Sequence, residues 1–305
     1  MVQENSLRKI LIICGPTASG KTALAIECAK LLNTEVISAD SMYIYKGLDV
    51  GTAKPDVLEM DGVKHHLIDV VSPNENFTVS DYKSLATPII EDLLSRGKIP
   101  VICGGTGFYI DSILYDLSYG KGNSNLEVRE KYKKLALEFG NEYVYNVLRK
   151  LDPESAEKLH FNDVKRVIRA LEIYANGEKK SNIKDDLTPK YDYKAYSINF
   201  EREALYKRIN SRVNQMFDNG LLAEVKSLID DDITLENQCM QAIGYKEVYA
   251  HLKGETDLDS AKELIKLNTR HYAKRQITYF KRLNGLIYLP PTNPKELAKK
   301  IIGEL

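Results

Sequence analysis

Five consecutive apolar residues, Ile10-Leu11-Ile12-Ile13-Cys14, form a run too short for a helix and without polar alternation, so they predict a strand buried on both faces. The pattern then turns helical over Ala23-Leu24-Ala25-Ile26-Glu27-Cys28-Ala29-Lys30. Glu35-Val36-Ile37-Ser38-Ala39-Asp40 predicts a second strand ending in an acid, and His65-His66-Leu67-Ile68-Asp69 a short third. A helix is expected from Thr78 to Arg96, followed by a strand at Ile99-Pro100-Val101-Ile102-Cys103. Strands alternating with helices predict a right-handed parallel α/β sheet with helices on both faces.

From about Asp111 to Asp192 strand signals vanish, and the segment is charged, rich in tyrosine and helical in period. Asp152-Pro153-Glu154 reads as a helix start, residues 162–172 as a helix and 181–190 as a polar loop. Lys194-Ala195-Tyr196-Ser197-Ile198-Asn199-Phe200 returns to strand, with helices to about Asn284, a last strand at Leu286–Leu289 and a final helix. The expected organisation is an α/β core over 1–112 and 193–305, with a helical insertion over 113–192.

Chemistry enters at the first strand-to-helix turn. Gly15-Pro16-Thr17-Ala18-Ser19-Gly20-Lys21-Thr22 is a glycine-bounded loop between strand and helix, the context a phosphate-binding P-loop requires. Glycines let successive N–H groups converge, and the helix N-terminus adds partial positive charge. Lys21 adds a mobile cation, and the Thr22 hydroxyl can ligate Mg²⁺. Asp40, at a strand end, suits either a Mg²⁺ ligand or a base toward a bound acceptor. Gly104-Gly105-Thr106-Gly107 is a second strand-end loop that allows close backbone approach beside a hydroxyl. Ligands of such sheets bind beyond the carboxyl ends of strands, where all three loops fall. The pair His65-His66 reads as structural.

The balance of 43 basic against 43 acidic residues removes any argument for nucleic-acid binding from total charge. A local patch is needed, and residues 262–282 carry one: Lys262, Lys266, Arg270, Lys274, Arg275, Lys281 and Arg282 against the single acid Glu263, with Tyr272, Tyr279 and Phe280 interleaved. That mixture suits phosphate contact plus base stacking. Lys165, Arg166 and Arg169 form a smaller basic group, and Arg208 and Arg212 lie one helical turn apart, either able to face the P-loop. Four scattered cysteines without a CxxC pair, no leader-like amino terminus and no membrane-length apolar run predict a cytoplasmic protein. Two other classes compete at the same loop: a kinase using ATP, and a GTPase-type RNA-binding switch, for which the chain lacks an NKxD motif.

Taken together, GPTASGKT (15–22), SADSMYIYKGLDVGTAKP (38–55), HHLID (65–69), GGTGFY (104–109), NDVKRVIRALE (162–172), QAIGYKE (241–247) and AKRQITYFK (273–281) resemble the bacterial tRNA dimethylallyltransferases over nearly the whole chain. The resemblance implies transfer of a dimethylallyl group from dimethylallyl diphosphate to the exocyclic amine of the adenosine 3′ of the anticodon, in tRNAs reading codons that begin with U. It implies Mg²⁺ as cofactor, with Thr22 as its ligand, and a monomer whose partner is the tRNA anticodon stem-loop. Gly15, Thr17, Ala18, Ser19, Gly20, Lys21 and Thr22 would hold the donor diphosphate rather than ATP. Asp40 matches the general base, Thr106 the hydroxyl beside the flipped base, and Arg212, rather than Arg208, the diphosphate-binding arginine. The tRNA-touching segments match Asp40, Ser41, Met42, Tyr43 and Thr106, then Lys165, Arg166, Val167, Ile168 and Arg169. They match further at Gln241, Ala242, Ile243, Gly244, Tyr245 and Lys246, and at Lys274, Arg275, Gln276 and Lys281, with Arg129 as an additional contact. Two positions depart from the family pattern: Tyr43 stands where Gln is common, and Tyr279 where Trp is usual.

Overall fold

The computed structural model describes residues 8–118 and 125–305; residues 1–7 and 119–124, at the amino terminus and within the expected insertion, lie outside the described residues. The chain divides into two compact units, one formed by Met1–Leu114 with Pro189–Leu305, the other by Tyr115–Thr188.

The larger unit is built on strands β1 (Lys9–Cys14), β2 (Val36–Ser38), β3 (His65–His66), β4 (Val101–Gly104), β5 (Asp192–Ile198) and β6 (Leu286–Leu289). They form one sheet in the order β3-β2-β4-β1-β5-β6 with every neighbouring pair parallel. β1 lies at its centre, its Leu11 opposite Val101 of β4 and Lys194 of β5. Leu11 and Ile13 pack into a cluster with Val36, Val101, Tyr196 and Leu289. Successive side chains of a strand point to opposite faces, yet Ile10, Ile12, Ile37 and Ile102 are also fully buried, so both faces of the sheet are covered. β4 begins at Val101 rather than at Ile99, because Pro100 has no N–H to place in a ladder.

Helix α1 (Lys21–Leu31) directly follows the loop after β1 and turns Leu24, Ala25, Cys28 and Ala29 onto the Leu11 face. Next come α2 (Val57–Met60), α3 (Val79–Ser95) and α4 (Gly107–Leu114). Thr78 and Asp81 form a capping box that starts α3, in which Tyr82, Ala86, Ile90 and Leu93 are spaced to bury one stripe.

The smaller unit packs α5 (Leu126–Phe139), α6 (Asn141–Leu151), α7 (Pro153–Glu157) and α8 (Val164–Ala175) around Val144, Leu148, Ala156, Val167, Ile168 and Leu171. In the larger unit again, α9 (Arg202–Asp218), α10 (Leu221–Asp230), α11 (Tyr245–Leu252) and the long α12 (Leu258–Phe280) precede β6, and α13 (Pro294–Gly303) closes against α1 through Leu297, Ala298 and Ile301. The four cysteines are buried free thiols. No helix among the described residues is long and apolar enough to cross a membrane.

Candidate active site

Because β4 lies between β1 and β2, the loops leaving their carboxyl ends stand side by side in the order Asp40, Thr106, P-loop. The 15–20 loop is wound by backbone angles that few side chains tolerate: φ is +133° at Gly15, +62° at Ala18 and +84° at Gly20. A Cβ at Gly15 would come within 2.5 Å of the Ser197 hydroxyl on β5, so the loop lies flat on its neighbouring strand only as glycine. Gly20 caps α1 without a side-chain hydrogen bond among the described residues, so no side chain of the cap satisfies the first-turn N–H groups. Lys21 is half-buried, and its ammonium approaches only the Pro16 carbonyl, at 3.5 Å, among the described residues. Burial pushes its pKa down while Asp40 opposes that shift, the state of a cation missing an anionic partner.

The Asp40 loop is locked to the Thr106 loop by four hydrogen bonds. Ala39 N–H donates to the Cys103 carbonyl at 2.7 Å and Thr106 N–H to the Ala39 carbonyl at 3.0 Å. Ser41 N–H donates to Thr106 Oγ1 at 3.0 Å, and that hydroxyl donates to Ser41 Oγ at 3.3 Å. Gly104 permits this approach; a Cβ there would sit 2.1 Å from the Ala39 carbonyl oxygen. Asp40 Oδ1 accepts the Met42 N–H at 3.0 Å. Between the Thr106 loop and the P-loop reaches Gln276 of α12, only 4% exposed. Its Oε1 accepts the Thr17 N–H at 2.8 Å and its Nε2 donates to the Gly105 carbonyl at 3.0 Å, so one side chain sets the spacing of two loops.

The two candidate arginines of α9 part company. Arg208 Nε donates to the Ala18 carbonyl at 2.8 Å while its guanidinium lies 4.9 Å from the Phe200 ring centre, which braces the left-handed turn of the P-loop. Arg212 Nη2 donates to the Thr52 carbonyl at 2.6 Å, while its buried Nε has no partner among the described residues. The Tyr43 phenol, adjoining Arg212, donates to the Ala53 carbonyl at 2.9 Å. Two cavities meet at Lys21, Tyr43 and Arg212. One, of about 600 Å³, is walled by Ala18, Gly20, Thr22 and Arg208; the other, of about 370 Å³, by Asp40, Ser41, Tyr272 and Arg275. A third, much smaller space is bounded by Lys21, Thr22, Ser38 and Asp40, where the buried Ser38 Oγ has no hydrogen-bond partner among the described residues. Two hydroxyls and one carboxylate are a hard-oxygen donor set that fits Mg²⁺ completed by phosphate and water oxygens. No cluster of three His, Cys, Asp or Glu that could hold a metal occurs among the described residues.

The residues expected to face tRNA divide by burial. Lys274, Arg275 and Lys281 are exposed on or just beyond α12, and Gln241 is exposed ahead of α11. His271, Lys274, Arg275, Thr278, Tyr279 and Arg282 line a surface hollow of about 480 Å³. Arg282 stacks over the Tyr279 ring at 3.9 Å, and the Tyr279 hydroxyl donates to Asp111. Ala242, Ile243 and Lys246 border the cavity that contains Asp40. Others turn inward or are held by partners within the protein. Gly244 is buried and Tyr245 fully so, the Tyr245 hydroxyl donating to Glu224 at 2.6 Å; Gln276 is committed to the two loops. In the smaller unit Val167 and Ile168 belong to the core. Arg129 and Arg169 there hold the fully buried Glu172 carboxylate at 2.9 and 2.6 Å, because a buried charge requires paired donors. Lys165 and Arg166 remain outward, Arg166 with 76% of its side chain exposed. Sequence patterns did not single out Gln276 as a spacer, Arg208 as a brace or Glu224 as a partner of Tyr245. Each role depends on which loop the fold brings opposite.

A glycine-wrapped loop with a half-buried lysine that has no anionic partner among the described residues, facing a carboxylate across a cleft, defines a P-loop-type group-transfer protein. The IPP transferase profile matches residues 43–283, and the chain belongs to that family. A tRNA dimethylallyltransferase of Acetivibrio thermocellus is 46% identical over 284 residues, covering 92% of this chain and 91% of the relative. One from Bacillus mycoides is 46% identical over 308 residues, covering 99% and 97%. Among solved structures, the tRNA isopentenylpyrophosphate transferase of Bacillus halodurans superposes with a TM-score of 0.73 at 39% identity, covering 97% of this chain and 96% of that one. A eukaryotic dimethylallyltransferase described as acting on tRNA superposes with a TM-score of 0.81 at 31% identity, covering 97% and 77%.

Proposed function

We propose that this protein transfers a dimethylallyl group from dimethylallyl diphosphate to the exocyclic amine of the adenosine 3′ of the anticodon, in tRNAs reading codons that begin with U. One observation carries the reading. A P-loop cavity and an Asp40 cavity meet at Lys21, Tyr43 and Arg212, so a donor diphosphate and an acceptor amine can approach from opposite sides of one gap.

The donor diphosphate occupies the P-loop side, held by the N–H groups and side chains of Gly15 to Thr22, by Lys21 and by the unpartnered Arg212 Nε. Thr22, beside Ser38 and Asp40, would hold Mg²⁺, which when bound would neutralise charge on the departing diphosphate. The adenosine enters the other cavity flipped from its stack. Its amine nitrogen forms a bond to the first prenyl carbon as the carbon–oxygen bond to diphosphate breaks, and the amine proton passes to Asp40. Thr106 holds the Ser41 backbone, and with it the direction of Asp40. Excluding water matters because the electron-poor prenyl carbon reacts with any nucleophile present. The anticodon stem-loop meets Lys274, Arg275, Lys281 and Gln241, with Lys165 and Arg166 of the smaller unit as separate contacts. The protein acts as a cytoplasmic monomer.

The deciding experiment incubates the protein with dimethylallyl diphosphate, Mg²⁺ and unmodified tRNA, and digests the RNA for mass analysis. A prenylated adenosine at the expected position is the outcome this reading requires. Transfer of phosphate from ATP to RNA or nucleoside, without prenylation, would replace it by a kinase.

A further inference from the structure

Arg212 is aimed by a loop, and that loop is held by one carboxylate on a different helix. Glu224 of α10 accepts three successive backbone N–H groups: Oε2 takes Asp49 at 2.8 Å and Val50 at 2.7 Å, and Oε1 takes Gly51 at 3.0 Å. Oε1 also accepts the hydroxyl of the fully buried Tyr245 at 2.6 Å. The next carbonyl along the chain, Thr52, receives Arg212 Nη2 at 2.6 Å, and the one after, Ala53, receives the Tyr43 hydroxyl. Gly51 is pressed so closely on Tyr245 that a Cβ there would meet the ring at 2.6 Å. Lys54, its side chain 4% exposed, fixes the far end of the segment by ion pairs to Asp49 and Asp69, both at 2.5 Å.

We infer that Glu224 is a positioning residue for prenyl transfer: by gathering the 49–51 N–H groups it fixes the Thr52 carbonyl that orients Arg212 at the meeting of the two cavities. Charge-assisted bonds from successive N–H groups to one carboxylate are about twice as strong as neutral ones and leave the segment little freedom. A guanidinium held at one nitrogen presents its remaining N–H groups in a fixed direction. A displacement of about 1 Å at such a group is enough to cost on the order of a hundredfold in rate. The inference rests on the proposed role of Arg212 toward the donor diphosphate.

The test is a double-mutant cycle on the transfer rate, with Glu224→Gln, Arg212→Ala and the pair. Glu224→Gln places an amide NH₂ against N–H donors and is expected to lower kcat by about tenfold or more, with KM for tRNA unchanged. In the Arg212→Ala background the same substitution is expected to cost less than about twofold, because the group it aims is gone. Tyr245→Phe, which removes one bond and keeps the packing, is expected to give a smaller loss with the same non-additivity. Equal fold losses from Glu224→Gln in both backgrounds would overturn the inference and leave Glu224 a stabilising residue only. A loss of kcat matched by a rise in KM for tRNA would overturn it as well. An Arg212→Ala protein with normal rate and donor affinity would instead sink the assignment of Arg212, a result readable without Glu224.

Discussion

A carboxylate two residues past a strand end serves as a base only if an oxygen stays available. Among the described residues the Met42 N–H is the partner of Asp40 Oδ1, which leaves Oδ2 to receive a proton. Removing it should cost chemistry and little binding: Asp40→Asn is expected to lower kcat by about a hundredfold or more, the usual scale for a lost general base. Donor affinity measured by calorimetry should hold within a few-fold. Near-normal turnover would demote Asp40 to a loop acid. On the other side of the gap, the Lys21 ammonium has only a long bond to the Pro16 carbonyl and the buried Arg212 Nε has no partner among the described residues, and cationic groups without an anionic partner favour an incoming anion. Arg212→Ala should therefore weaken inorganic diphosphate binding by about tenfold or more, the worth of one charged hydrogen bond. Undiminished diphosphate affinity in that variant would show that Arg212 serves only the 52–53 loop.

Helix α12 does two jobs on two faces. Ala273, Gln276 and Phe280 point inward, and Lys274, Arg275 and Lys281 outward. Its outward face is where a chain with no net charge can concentrate attraction for a polyanion. Removing a side chain that neutralises one phosphate should reduce the slope of log affinity against log salt by roughly 0.7–0.9. Lys274→Ala with Arg275→Ala should then bind tRNA more weakly with a shallower slope, while donor affinity, set at the P-loop, stays put. A slope equal to that of the unmodified protein would make this face merely solvated. The sheet and its loops were legible in sequence because β1 and β4 are buried on both faces and announce themselves as continuous apolar runs, while β2 and β5 show as short β-branched or aromatic stretches beside turn residues. So were the outward lysines of α12. The inward residues were not. Val167 and Ile168 sit at core spacing on α8, a burial that the basic residues beside them in sequence do not announce. Gln276, Arg208 and Glu224 are polar side chains whose partners are backbone groups more than 150 residues away, and no local pattern encodes such a pairing.

At the scale of the whole molecule, chemistry and stability are separated along the strands. The functional loops leave the carboxyl edge of the sheet, whereas Glu35, just before β2, stands at the amino edge. Burial alone would raise its pKa. The His66 ring at 2.6 Å, the Arg96 guanidinium at 3.0 Å and the Lys64 ammonium at 3.4 Å outweigh that, and hold the carboxyl at about 2 against an ordinary value of 4.5. A carboxyl whose pKa is depressed in the folded state stabilises the fold above its unfolded value, and the contribution is lost as pH falls through the folded one. For a side chain only 12% exposed the difference amounts to about 3 kcal/mol, present at neutral pH and withdrawn between about pH 4.5 and 2. Glu35→Gln cannot titrate. Its urea midpoint should lie below that of the unmodified protein at pH 7, and the gap should close as the pH approaches 2. At pH 7 its transfer rate on the folded protein should be unchanged, because among the described residues the partners of Glu35 are His66, Arg96 and Lys64, none of them in the functional loops. A gap that stays constant across this range would show that the Glu35 charge is not what the His66, Arg96 and Lys64 contacts stabilise, and that the strand pairing of β2 with β3 holds without it.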